Sequence, residues 1–297
     1  MALASSFVAG AKLRALDAEM PGSLGMPLIP PLPLVKSYAW LTAASYCNDR
    51  QLFNWDCRSC SPMGNNIRFV RGLENEQFGT RCFVAIDDSN RRILIAFRAT
   101  ENDKNTRQNH NLVQVPFKGA SDMRIRVVRG PLMAMESLEQ QILETITTML
   151  NDPSLANHKI AFVGHSLGSS LAALAAARVK TSLNMPGERI EVYAYGMPRI
   201  GNRNFAEWYN GLGMAAARVV NKNDLFPQIL GGNNDLLVHI KTELWVTGPR
   251  NNEQITICDT ATLEDPKCSK SVPRSKLSKE LHFYMFDVSY EGELCEN

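Results

Sequence analysis

The chain has 297 residues, a formal net charge of +2, 44% hydrophobic residues and 21% charged residues. That length suits one α/β domain, and the near-balanced charge excludes the basic field that nucleic acid or an anionic membrane surface would require. No run of 18 apolar residues occurs, so the sequence predicts no membrane-spanning helix.

In chain order, "MALASSFVAGA" is mildly apolar, has no basic residue ahead of it and is interrupted at Lys12 and Arg14, which makes a poor secretory signal. Residues 1–36 are expected to form an N-terminal arm or pro-segment, the chain beginning after any true signal. "MPLIPPLPLV" (26–35) should be extended, because proline fixes φ and removes amide donors. Residues 37–297 are expected to form a single domain. Apolar spacing predicts a helix over 37–50. Residues 80–100 read as two strands around a polar turn at 87–91. A helix is predicted over 131–150, opened by Pro131 and stopped near Asn151-Asp152-Pro153. A strand at 159–164, a helix rich in small residues at 167–179, a strand at 189–196, a helix at 202–210 and a strand at 216–221 follow. Further strands are expected at 236–247 and 253–257. Alternation of strands and helices predicts a central, mostly parallel sheet with helices on both faces, made mixed by the hairpin at 80–100.

Seven cysteines allow three pairs and one left over. Cys57-Arg-Ser-Cys60 stands alone in a loop-like stretch, so it reads as a short structural disulfide in an oxidising compartment rather than as a metal or redox site.

The chemistry centres on Gly164-His165-Ser166-Leu167-Gly168. A G-x-S-x-G between an apolar strand and a helix forms a sharp turn that exposes the serine, with helix N–H groups beneath it to favour developing negative charge. A bare pattern of this kind arises by chance, as a packing turn of small residues; its setting makes Ser166 a candidate nucleophile. On such a scaffold the acid and then the histidine follow the serine. Asp224 follows an apolar strand and is the candidate acid, with a turn residue as the plainer alternative. Asp235, Asp259 and Asp265 lie in loops. His110 and His158 precede the serine, and His165 cannot turn back onto its own neighbour. His239 lies within a predicted strand, where a structural or pocket-wall role suits it better. His282 in "SKELHFYMF" remains as the candidate base.

Taken together with "AFRAT" (96–100), "YGMPRIGN" (195–202), "RVVNKNDLFPQI" (218–229), "HIKTELWV" (239–246) and "LHFYMF" (281–286), these residues resemble the fungal class 3 (filamentous-fungus type) triacylglycerol lipases over about residues 37–297. The resemblance implies an α/β-hydrolase fold, a triad of Ser166, Asp224 and His282, and an oxyanion hole formed by Thr100 and Leu167. It makes His239 the family's second histidine and leaves His165 and His239 as candidate pocket-wall residues. It also implies the disulfides Cys47–Cys295, Cys57–Cys60 and Cys258–Cys268, leaving Cys82 free, and secretion to the cell exterior. Three departures stand out: Ala99 replaces the usual glycine before Thr100, Val128-Arg129-Gly130-Pro131 replaces a His-x-Gly-Phe, and the lid-equivalent stretch 101–115 opens with eleven residues lacking any apolar side chain. That stretch reads equally as a solvated loop or as a polar lid.

The expected activity is hydrolysis of acylglycerol esters, at a lipid–water interface where the substrate forms one, through an acyl-enzyme on Ser166 and with no cofactor or metal. The alternative on the same scaffold is a non-lipolytic esterase for feruloyl or short-chain esters. A catalytically silent binding module is the reading from another class, and an intact triad argues against it.

Overall fold

A computed structural model describes residues 29–99, 112–229, 236–250 and 252–296. Its strands are β1 (Ile67–Asn75), β2 (Thr80–Asp87), β3 (Arg92–Phe97), β4 (Gln114–Pro116), β5 (Arg126–Val128), β6 (Lys159–His165), β7 (Ile190–Tyr195), β8 (Ala215–Asn221), β9 (Glu243–Thr247), β10 (Gln254–Ile257), β11 (Tyr284–Met285) and β12 (Val288–Ser289). Its α-helices are α1 (Leu32–Ser37), α2 (Ala39–Ala44), α3 (Asp49–Asn54), α4 (Arg129–Leu150), α5 (Leu167–Ser182) and α6 (Arg203–Asn210).

One sheet runs in the order β1-β2-β3-β6-β7-β8-β9-β10. Strands β3, β6, β7, β8 and β9 are parallel, and β1, β2 and β10 add antiparallel edges. This is the mostly parallel mixed sheet of an α/β-hydrolase. The central strands are apolar on both faces, as burial between two layers requires. Ile93, Ile95, Ile160, Phe162, Ile190 and Val192 pack toward α4 and α5. Leu94, Ala96, Ala161, Val163, Tyr193 and Tyr195 pack toward α1, α2 and the last residues of the chain. The helix rich in small residues is α5: Ser169, Ser170 and five alanines between 172 and 177 are buried.

Several expectations are corrected. The extended stretch ends at Pro31, and α1 begins at Leu32 with a proline in its first turn, where the missing N–H has no intrahelical partner to lose. Leu34 and Val35 are buried in the core, so α1 packs on the body at these two positions. The helix expected over 37–50 is broken at Tyr38, whose hydroxyl donates to Asp87, and a separate capping box at Asn48 and Gln51 starts α3. Helix α4 opens at Arg129, two positions before Pro131, because proline is tolerated within the first turn. The strand expected at 236–247 forms only from Glu243; upstream, Val238 pairs with Gly201 instead of joining the sheet.

The three expected disulfides are present and Cys82 is free and buried. Cys47–Cys295 joins positions 248 apart in sequence. Replacing both Cys47 and Cys295 by serine should lower stability by about 2–5 kcal/mol, read from urea unfolding. An unchanged midpoint would show that the hydrogen bonds from Ser59 and Gln51 to Leu294 and Cys295 hold the tail unaided.

Candidate functional site

Ser166 stands between β6 and α5 with φ 54° and ψ −125°, a left-handed backbone that a serine adopts only when its surroundings impose it. Those surroundings are two glycines. A Cβ on Gly164 would lie 2.2 Å from the backbone of Gly168, and one on Gly168 would lie 2.5 Å from the carbonyl oxygen of Phe97. Helix and strands therefore approach too closely for any side chain, and the serine takes up the turn. Its N–H donates to Tyr195 O.

His282 lies in a 3-10 turn, Glu280–Phe283. Its Nδ1–H donates to Asp224 Oδ2 at 2.9 Å, and Asp224 Oδ1 accepts from Phe226 N–H at 2.9 Å. The structure thus brings Asp224 and His282 together, on loops 58 positions apart in sequence. The two segments are stitched by backbone: Leu225 N–H donates to Ser278 O and Ser278 N–H to Asn223 O. Asn221, the last residue of β8, donates to both Leu281 O and Tyr284 O. Phe226 stacks on the His282 ring at 3.9 Å. The other ring nitrogen, Nε2, is buried and has no hydrogen-bond partner among the described residues.

Burial opposes charge on both partners, pushing the Asp224 carboxyl up and the His282 imidazole down to about 3, so the resting ring is neutral. The Phe226 N–H works against the shift on Asp224.

His165 and His239 are both buried. His165 Nε2 contacts the His282 carbonyl oxygen. His239 Nε2 contacts Pro227 O, in the loop that follows Asp224, and its backbone N–H donates to Glu264. Leu167 heads α5 with its side chain buried. Thr100, the other expected oxyanion residue, and positions 101–111 of the lid-equivalent stretch lie outside the described residues; Ala99 is described and buried. The cluster of Glu243, Cys258 and Cys268 has no free thiol to offer a metal, since its sulfurs are joined.

With this geometry in view, comparison with known families matches residues 94–233 to Lipase (class 3). The lipase of Rhizomucor miehei is 26% identical over 252 residues, 83% of this chain and 67% of that protein. Over residues 94–233, a little under half of its length, the chain is similar to the class 3 lipases. The lipase of Rhizopus niveus is also 26% identical, over 85% of this chain and 62% of its own length, so the chain spans about two thirds or less of these curated relatives. A solved triacylglycerol lipase, described as having a serine-protease triad as its catalytic centre, superimposes with a TM-score of 0.77 at 26% identity, over 87% of this chain and 95% of that one.

Gly196 escaped the sequence reading, although it stands in the quoted "YGMPRIGN". Its φ is +57°, and a Cβ there would lie 2.9 Å from His282 Cε1 and 3.1 Å from Asp224 Oδ2. Only the bare backbone leaves room for the acid–histidine pair. Gly196→Ala should lower kcat on a soluble ester by roughly 10²-fold through displacement of His282, with a folded protein by circular dichroism; full activity would show that the loops absorb the clash.

The histidines also set the acid stability. Burial holds His165 and His239 well below the ordinary value of 6.5, and His282 with them. Protonation of a ring whose native pKa is depressed favours the unfolded chain, so these groups stabilise the fold fully above about pH 6.5 and less as pH falls below it. The expected outcome is a melting temperature that declines steadily from pH 6.5 toward pH 4; a flat profile over that window would contradict neutral burial.

Proposed function

We propose that the protein hydrolyses carboxylic esters by acyl transfer to Ser166, and that acylglycerols are its substrates. The carrying observation is the 2.9 Å His282–Asp224 bond, which fixes a neutral ring whose Nε2 has no partner among the described residues, and whose neighbour at 4.5 Å between ring centroids is His165, the residue before the strained serine. As Ser166 Oγ attacks the ester carbonyl, His282 Nε2 takes its proton. Asp224 keeps the other ring proton on Nδ1 and stabilises the imidazolium. The tetrahedral oxyanion is held by the backbone N–H of Leu167, at the start of α5, and by the N–H and hydroxyl of Thr100. Loss of one such donor costs roughly 10²–10³-fold in rate. Collapse expels the alcohol, which receives the proton from His282. Water then attacks the acyl-enzyme with His282 again as base. Three disulfides support action outside the cell, where thiols oxidise.

A second reading rests on the stretch 101–111, whose eleven residues offer no apolar side chain to a lipid surface. It favours a non-lipolytic esterase acting on feruloyl or short-chain esters. Rates on p-nitrophenyl acetate, butyrate, octanoate and palmitate, beside emulsified triolein and methyl ferulate, separate the two. Acylglycerol cleavage without a sharp rise at the solubility limit is expected. Turnover confined to methyl ferulate or acetate would select the second reading. Ser166→Ala should lower every rate by on the order of 10⁶-fold, and retained turnover would remove Ser166 from the mechanism.

A further inference from the structure

His165 adjoins the candidate nucleophile in sequence, yet its side chain reaches the base. We propose that His165 is a positioning residue for His282, its Nε2–H holding the His282 carbonyl while Tyr290, anchored on Thr42, holds the His165 ring. This rests on the reading of Ser166, His282 and Asp224 given above.

The turn that carries His282 belongs to no long strand. Its neighbours β11 and β12 have two residues each. Three carbonyls in this turn are fixed from the sheet: those of Leu281 and Tyr284 by Asn221 at the end of β8, and that of His282 by His165 at the end of β6, at 2.8 Å. A carbonyl only accepts, so His165 must carry its proton on Nε2. The His165 ring lies 4.5 Å from the His282 ring and stacks on Tyr290 at 3.9 Å with planes 10° apart. Tyr290 OH lies 2.6 Å from Thr42 Oγ1. Thr42 directs its own proton to Ala39 O, so the tyrosine donates. A chain of contacts therefore runs from α2 through Tyr290 and His165 to the backbone of His282.

The choice of histidine has an electrostatic consequence. A permanent cation 4.5 Å from His282 would oppose the imidazolium that forms as the serine attacks. Burial and the neighbouring His282 both keep His165 neutral, so the site gains a rigid donor without a competing charge.

Three variants separate donor from ring. His165→Gln keeps an N–H donor at similar reach and loses the ring. His165→Phe keeps the stack and loses the donor. His165→Ala loses both. On p-nitrophenyl butyrate, His165→Phe and His165→Ala are expected to lose roughly 10–100-fold in kcat with KM changed less than about threefold, as misplacement of a catalytic group does. His165→Gln is expected to recover to within about threefold of wild type, the range of one hydrogen bond. Titration with a fluorophosphonate counts competent sites, so each kcat is per reactive serine even where less protein folds. Wild-type kcat in His165→Phe, or no recovery in His165→Gln, would overturn the positioning role. Ser166→Ala in the same assay isolates the underlying reading: turnover there would refute the triad itself, whatever the His165 series shows.

Discussion

The position of His282 is the constraint on which the rest of the site depends. The residue lies 117 positions beyond His165, on a turn outside the main sheet, and a base displaced by an ångström loses much of its value. The molecule meets this by giving the turn contacts in every direction. Asp224 fixes one ring nitrogen, Phe226 covers a ring face, Asn221 and His165 hold backbone carbonyls, and Leu225 and Ser278 join the acid and base loops by backbone hydrogen bonding. Two of these groups, Asn221 and His165, stand at the ends of β8 and β6. What is missing from the turn in length is supplied by the strands it leans on.

The same burial that orders these groups also sets their charge. Taking His282 out of water favours the neutral ring, which is the form that can accept a proton from serine. Elsewhere, buried charge is paired instead of suppressed. Glu191 accepts a bidentate pair from Arg92 and a hydrogen bond from Tyr193. Arg218 meets Glu243 at 2.6 Å, and Arg199 meets Glu264, which also receives His239 N–H. Arg199 donates in turn to Pro227 O and Ile229 O. Removing one member of such a pair leaves its partner charged in the interior, at a cost of about 3–5 kcal/mol. The Arg199–Glu264 pair thereby bears on the loop behind Asp224 without touching the reacting atoms.

The legible parts of the sequence were those with local causes. The strands from 159 to 221 were readable because parallel strands buried on both faces are apolar throughout, and the elbow was readable because its two glycines mark a close approach. The meeting of Asp224 with His282 could be anticipated from chain order and from the strand before the acid. The illegible parts depend on distant partners. Strand β1 carries Arg68, Arg71 and Glu74 on an edge that is largely exposed, so its alternation is faint. Residues 236–242 look like strand because Val238, His239 and Ile240 are buried, but they are buried against Gly201 and Pro227 rather than in the ladder. The roles of Gly196 and His165 follow from where His282 comes to rest, which no neighbouring residue announces.

Stability and chemistry meet at the two ends of the chain. The face of the sheet beneath His165 is covered by α1 and α2 from the first part of the chain and by Met285, Phe286 and Val288 from the last. Cys47–Cys295 and the hydrogen bonds to Leu294 and Cys295 close this layer. Tyr290 belongs to it, and Tyr290 is the residue stacked on His165. A cross-link in so long a loop acts chiefly by removing freedom from the unfolded chain, yet here the ordered tail also touches His165, the neighbour of Ser166. Residues at the two ends of the sequence that resemble mere packing are therefore joined through Tyr290 and His165 to the backbone of His282, as well as to the central strands through Ala161, Val163 and Tyr193.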